Sequence, residues 1–166
     1  FDGIVPSLSD TALAVPVREI AAMGDINILF QDVRESKNNQ QLFLAFVNSP
    51  RFCDTKLAFY INQFDNKAEK QFSAITFLLN DDSTYIAFRG TDSTFIGWKE
   101  DFNMAFVSPI PSQKEGTDYL NVVANKVSGK LRTGGHSKGG NIAVYSAIHC
   151  DPSVQNRIEH IYSHDG

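Results

Sequence analysis

The sequence lacks the features that mark disulfide-stabilised, zinc-binding and membrane-spanning proteins. It contains only two cysteines, Cys53 and Cys150, which lie far apart and lack metal-ligand spacing. We therefore expect free thiols, with neither a disulfide scaffold nor a zinc site. The apolar runs are all shorter than the ~18 residues that a membrane-spanning helix needs. No integral membrane segment and no metal are predicted.

Positive charge is also scarce. Lys and Arg total 15 against 19 Asp and Glu, which gives a formal net charge of −4. No segment clusters the basic residues that contact with phosphates requires, so a nucleic-acid partner is disfavoured. The composition, 42% hydrophobic and 20% charged, is typical of an ordinary globular protein. We predict one domain over residues 1–166.

The hydrophobic patterns predict a mixed α/β protein. Helices are predicted over residues 9–23, 42–47, 98–106, 116–127 and 138–149. Strands are predicted over residues 57–61, 72–79, 84–88, 131–134 and 158–163. In the first helix Leu13, Val17, Ile20 and Ala21 share a face, and Pro16 marks a kink or a later start. The early strands form an antiparallel meander and the late strands a parallel βαβ unit, so a mixed sheet covered by helices is expected.

One motif in this pattern carries chemistry. Residues 135–139 read Gly-His-Ser-Lys-Gly, which matches G-x-S-x-G, a sharp strand-to-helix turn that presents a nucleophilic serine. Gly135 and Gly139 leave room for the strained backbone expected at Ser137. The free N–H groups at the helix start, that of Lys138 first, can bind the oxyanion formed when the serine attacks a carbonyl. Ser137 is therefore the predicted nucleophile.

A second motif, Phe88-Arg89-Gly90-Thr91, ends a predicted strand and precedes Trp98 and Asp101. Together with Gly-His-Ser-Lys-Gly-Gly at 135–140, this order resembles the class 3 (fungal triacylglycerol-lipase-like) family over residues 85–166. It is closest to a bacterial lipase-like branch of largely unassigned function that has Lys after the Ser. The resemblance implies an α/β-hydrolase-type sheet, antiparallel early and parallel around the nucleophile elbow.

The resemblance also implies roles for further residues. Thr91 would supply the second oxyanion donor, through its backbone N–H and often its hydroxyl, opposite Lys138. His136 would point away from the nucleophile, and Asp92 and Asp165 are candidates to line the site.

A mobile lid is implied over residues 93–98, with Phe95, Ile96 and Trp98 as its apolar residues. The alternative is core packing of a helix, which is more common for apolar residues at this spacing. Arg89 and Asp101 are expected to be structural and paired with each other.

The proton-handling partners of the serine are harder to find. A serine nucleophile needs a histidine base and an acid, in the chain order Ser, acid, His. His149 ends the predicted helix that starts at the serine, about 18 Å away. His160 and His164 share one face of a strand, a pattern more typical of packing or surface residues. No histidine follows Asp165, so we expect the acid and the base to lie beyond Gly166.

These observations predict a serine hydrolase that cleaves carboxylic esters, lipid esters included, through an acyl-enzyme on Ser137 and without a cofactor. Its partner would be a small-molecule or lipid ester. The charge of Lys138 would favour acidic or phospholipid-like substrates, unless it is a solvated surface lysine. Two alternatives stay open: a catalytically inactive, lipase-like binding or regulatory domain, and a thioesterase or peptidase that uses the same nucleophile.

Overall fold

A six-stranded sheet forms the centre of the protein, for which the computed structural model describes residues 1–10, 14–31, 33, 35–92 and 94–166. The strands are β1 Val15–Pro16, β2 Lys56–Asp65, β3 Lys70–Leu78, β4 Thr84–Phe88, β5 Leu131–His136 and β6 Ile158–His164. The helices are α1 Val17–Met23, α2 Ile26–Leu29, α3 Ser36–Asn48, α4 Phe95–Asn103, α5 Pro111–Lys126, α6 Lys138–His149 and α7 Pro152–Gln155.

The strands lie side by side in chain order. β1 to β4 pair antiparallel, whereas β4 with β5 and β5 with β6 pair parallel. The predicted mixed sheet, antiparallel early and parallel late, is therefore confirmed. Phe88 at the end of β4 lies opposite Gly135 in β5. This register brings the carboxyl ends of two parallel strands to one edge of the sheet, where α/β proteins gather their sites.

Helices cover both faces of the sheet. Alternate residues of a strand point to opposite faces, and in β3 Phe72 and Ala74 join one hydrophobic core while Ile75 and Phe77 join another. The first core includes buried residues of α5 and α6, such as Leu120. The second includes residues of α1 and α3. Since α5 and α6 pack on the face of the sheet that holds Phe88, they support the end of β4.

The first predicted helix begins later than the pattern indicates. Pro16 precedes α1 as its N-cap residue and pairs with Lys56 in a short β1–β2 ladder, so residues 15–16 are extended. The later start allowed by the proline is thus the correct alternative. Val17 and Ile20 are buried as predicted, and Leu13 lies outside the described residues. The helix predicted over 42–47 is confirmed within α3.

Two helices near the site begin earlier than predicted. α4 starts at Phe95 instead of residue 98 because the Thr94 hydroxyl accepts a hydrogen bond from the Gly97 N–H and caps the helix. α5 starts at Pro111 instead of residue 116, and proline suits the first helical turn, where no N–H partner is needed. The helix predicted over 138–149 matches α6.

Both cysteines are free thiols, as predicted, and Cys150 is buried. Among the helices that the structure describes, none combines the length and the apolar character required to cross a membrane.

Candidate active site

The turn between β5 and α6 holds Ser137 in a rare backbone conformation. Its φ is 53° and its ψ is −128°, a combination that costs a residue with a side chain on the order of 1–3 kcal/mol. The Ser137 N–H donates to the His164 carbonyl at 2.8 Å, and the Ser137 carbonyl accepts from the Asn141 N–H at 3.1 Å. Hydrogen bonds to β6 and to the first turn of α6 thus hold Ser137 in this strained conformation.

The glycines on either side of this turn allow the end of β4 to approach it. A Cβ at Gly135 would lie 2.5 Å from the Phe88 carbonyl oxygen. A Cβ at Gly139 would collide with the same oxygen and lie 3.0 Å from the Gly90 nitrogen. Any side chain at either position would therefore push the end of β4 away from the serine.

Two backbone N–H groups near the serine have no hydrogen-bond partner among the described residues. The position of a Cβ at Gly90 lies 3.7 Å from Ser137 Cβ, so the loop that continues into Thr91 starts beside the serine. Neither the Thr91 N–H nor the Lys138 N–H donates a hydrogen bond to another described residue. The Thr91 Oγ1 is also buried with no partner in the described part of the chain. An unsatisfied buried hydroxyl calls for an explanation. One explanation is that this hydroxyl hydrogen-bonds a reacting group.

The Lys138 side chain runs away from the site into the interior. The side chain is 0% exposed, and its Nζ lies 2.9 Å from Glu100 Oε2, 2.7 Å from the Gln71 carbonyl and 2.9 Å from Gln71 Oε1. Burial lowers the pKa of the Lys138 ammonium, and the hydrogen bond and charge of Glu100 partly offset that effect. The alternative of a solvated surface lysine is therefore wrong, and the buried ammonium does not lie where it could meet an acidic substrate.

The residues around Lys138 were not singled out from the sequence. Glu100 is buried and accepts further hydrogen bonds from the Gln71 N–H and the Ser112 N–H, each at 3.0 Å. The only sequence signal is a glutamate on the buried side of a predicted helix, three residues after Gly97.

Two further candidates, Asp92 and Arg89, are engaged within the loop before α4. Asp92 Oδ1 accepts hydrogen bonds from the N–H of Thr94 at 2.9 Å and from its hydroxyl at 2.5 Å. Arg89 Nη2 lies 3.5 Å from Asp92 Oδ2 and donates to Asn62 Oδ1 at 3.3 Å. The expected pairing of Arg89 with Asp101 is therefore wrong: the arginine bonds within its own loop and to β2.

The histidines of the described residues do not approach the serine hydroxyl within hydrogen-bonding distance. His136 is exposed, and its Nε2 lies 3.9 Å from Asp165 Oδ2 at the rim of the turn. His149 stacks on Tyr145, with ring centroids 4.0 Å apart. His160 and His164 are exposed on β6, as the strand pattern predicts. The base and the acid of the proposed chemistry stay predictions.

The apolar side chains at the start of α4 face solvent. Phe95 is 80% exposed and Trp98 is 62% exposed. Core packing of these two residues, one of the alternatives for residues 93–98, is therefore wrong, while Ile96 is half-buried. Ser93 lies outside the described residues, and a covering role for this segment stays a prediction.

No metal site accompanies the serine: within the ranges that the structure describes, no group of three or more His, Cys, Asp or Glu side chains could hold a metal ion. The fold and the site define a mixed α/β protein with a serine at a strained strand-to-helix turn.

Comparison with known families gives a more specific answer. The chain belongs to the Mbeg1-like family, whose sequence model matches residues 46–166 and so includes both motifs. This is a different family from the class 3 fungal lipase-like one, and no lipase family matches. The resemblance drawn from the two motifs was thus wrong at the level of family. No curated protein and no solved structure matches the chain.

Proposed function

We propose that this Mbeg1-like protein is a serine hydrolase that cleaves carboxylic esters, with Ser137 as the nucleophile. The observation that carries the proposal is the backbone of Ser137, at φ 53° and ψ −128° between β5 and α6. Backbone strain at a residue with a side chain persists only where the surrounding structure enforces it, and such residues cluster at active sites.

The reaction follows from the groups around the serine. Ser137 Oγ forms a bond to the acyl carbon while its proton passes to a general base, and the carbonyl oxygen becomes an oxyanion. The N–H groups of Thr91 and Lys138 would donate to that oxygen. Collapse of the intermediate breaks the bond to the alcohol, which leaves with the proton from the base. Water then attacks the acyl-enzyme by the same route, which releases the acid and restores Ser137.

The substrate that suits this arrangement has an uncharged carbonyl. The ammonium of Lys138 is occupied in the interior by Glu100 and Gln71, so its charge does not reach the reacting group. The remaining donors are backbone amides, which gain most when the charge on the carbonyl oxygen develops in the transition state. We therefore favour neutral esters over phosphorylated or otherwise anionic ones.

A fluorophosphonate probe on the full-length protein tests the proposal directly. We expect covalent labelling of the wild type, loss of the label in Ser137→Ala, and its retention in Ser128→Ala, which changes an exposed serine before β5. Absence of label on a folded wild type would contradict the proposal. Nitrophenyl esters of increasing chain length, compared with matched thioesters, would then define the bond and the acyl group.

A second candidate function is a binding or regulatory domain without catalysis. It is favoured by one observation: the Ser137 hydroxyl has no hydrogen-bond acceptor among the described side chains. The same labelling experiment separates the two, because a serine without a base does not become a good nucleophile.

A further inference from the structure

The ammonium of Lys138 is fully satisfied by three acceptors. An ammonium has three N–H donors, and here they meet Glu100 Oε2 at 2.9 Å, the Gln71 carbonyl at 2.7 Å and Gln71 Oε1 at 2.9 Å. The side chains of Lys138 and Glu100 are 0% and 1% exposed. The backbone N–H of the same lysine is one of the two proposed oxyanion donors, so one residue joins the reaction site to a buried charge cluster.

Glu100 connects that cluster to the rest of the fold. Besides Lys138, its carboxylate accepts from the Gln71 N–H and from the Ser112 N–H, each at 3.0 Å. The Ser112 hydroxyl in turn donates to the Gln71 carbonyl at 3.2 Å. Residues of β3, α4, α5 and α6 thus meet at a single ion pair, and a displacement of any one element would strain the others.

The loop that carries Thr91 packs beside the same cluster. A Cβ at Gly97 would lie 2.7 Å from Asp92 Oδ1 and 3.3 Å from Gln71 Oε1, so the loop packs on α4 directly beside the amide that Lys138 bonds. Thr94 ties the loop to the helix, since its hydroxyl donates to Asp92 and accepts from the Gly97 N–H. The segments that carry the two proposed oxyanion donors therefore meet beside one buried network.

Stability alone does not explain a charged pair at this position. Two buried charges lose their hydration, and well-packed apolar residues of similar size often give a fold that is equally stable. A hydrogen-bonded ion pair, however, holds its partners at defined distances. Oxyanion donors act only within about 2.7–3.1 Å of the oxygen, and a displacement of about 1 Å can cost ~100-fold in rate.

We propose that Lys138 and Glu100 are positioning residues that set the separation of the Thr91 and Lys138 N–H groups across the oxyanion. The proposal rests on the serine hydrolase function proposed above. Neither side chain touches the substrate. Their effect reaches the reaction through the backbone, so the affinity for the ground-state ester should change little.

The test replaces the ion pair with a neutral network in the full-length protein. In Lys138→Met/Glu100→Gln, the amide oxygen of residue 100 can still accept from one of the two backbone N–H groups that Glu100 binds, those of Gln71 and Ser112, while the other N–H loses its acceptor. We expect this double variant to fold, while the rate of fluorophosphonate labelling and kcat on a nitrophenyl ester fall by about 10- to 100-fold. KM should stay within about twofold of the wild-type value.

An exposed ion pair near the cluster provides a matched control, because Lys99 adjoins Glu100 and Glu69 lies two residues before Gln71. Lys99→Met/Glu69→Gln removes the exposed ion pair between Lys99 Nζ and Glu69 Oε1, which are 2.5 Å apart, and should leave labelling and kcat unchanged. Glu100→Gln alone provides a second variant should the double variant not fold, and we expect it to lower kcat by about 10-fold.

The outcomes separate this inference from the function on which it rests. A labelled wild type and a folded double variant with wild-type labelling rate and kcat would overturn the positioning role alone. A loss of activity that only follows the fraction of unfolded protein, measured by circular dichroism, would overturn it as well. A folded wild type that takes no label would overturn the hydrolase function and this inference together.

Discussion

A Cβ on Gly90 would lie 3.7 Å from the Cβ of Ser137. The two residues follow neighbouring parallel strands, and the pairing of Phe88 with Gly135 sets how far each strand extends toward the other's loop. The elbow and the Thr91 loop are therefore brought together by the register of β4 and β5, which the two cores on either side of the sheet maintain. Changes at these residues should separate the effects on folding from those on chemistry.

Replacement of Ser137 by glycine should stabilise the protein while it abolishes labelling. Glycine adopts φ 53° and ψ −128° without steric cost, so the release of about 1–3 kcal/mol of strain outweighs the ~0.5–1 kcal/mol that glycine loses in backbone entropy. We expect the free energy of unfolding in urea to rise by about 1 kcal/mol. The control is Ser128→Gly, which should lower the free energy of unfolding. An equal loss in both variants would contradict the strain at Ser137.

Replacement of Thr91 by valine should separate stability from activity. The Thr91 Oγ1 is buried without a partner among the described residues, and removal of an unsatisfied hydroxyl is neutral or favourable for folding. If that hydroxyl assists the oxyanion, the labelling rate should fall about 10-fold or more while the melting temperature does not fall.

Thr133→Val is the matched control for the Thr91 prediction. The Thr133 hydroxyl is likewise buried and unpartnered among the described residues, but it belongs to the interior of β5 and not to the turn. The melting temperature should respond in the same direction as for Thr91→Val, and labelling should not change. Equal labelling by both variants would restrict the role of Thr91 to its backbone N–H.

The sequence predicted those parts of the site that depend on local order in the chain. The turn at Ser137 is encoded within five residues, and its proximity to Thr91 follows from the rule that parallel strands end at one edge. The direction of the Lys138 side chain has no such local signal. Its acceptors on Gln71 and Glu100 lie 67 and 38 residues away in the chain, so only the assembled fold reveals that the lysine is buried.

The start of α4 shows a second limit of pattern reading. The apolar residues Phe95 and Trp98 suggested either a lid or a core-facing helix. Both face solvent, so the core-facing alternative is wrong and the lid stays a prediction. The buried side of this helix instead carries Gly97 and Glu100. Hydrophobic periodicity assigns the apolar face to the core, and here a buried ion pair reverses that assignment because it supplies partners for a charged residue.

The glycine at 135 should be far less replaceable than an ordinary glycine. An alanine Cβ there would lie 2.5 Å from the Phe88 carbonyl oxygen and 2.5 Å from the Gly139 carbonyl carbon, and neither backbone atom can move without a shift of β4 or α6. We expect Gly135→Ala to cost about 3 kcal/mol in the free energy of unfolding and to abolish labelling. In Gly24→Ala the nearest atoms are the side-chain ends of Ile4 and Leu29 at 3.3 Å, so this control should lose less than about 1 kcal/mol.

The carboxylate of Glu159 should make β5 and β6 sensitive to acid. The hydrogen bond from Lys130 and then the charges of Lys130 and Arg132 lower the pKa of Glu159 below its ordinary value of 4.5. A group whose pKa is lower in the folded state contributes stability above the unfolded pKa and loses it as the pH falls through the folded value. The melting temperature should therefore drop from about pH 6 to about pH 3, and drop less in Lys130→Gln, which removes the first of these partners and leaves the pair of Arg132 with Asp81 intact. The difference in acid response between wild type and variant should shrink in about 1 M salt, because these charges are near the surface. An identical acid response of variant and wild type would show that other carboxylates control the loss of stability in acid.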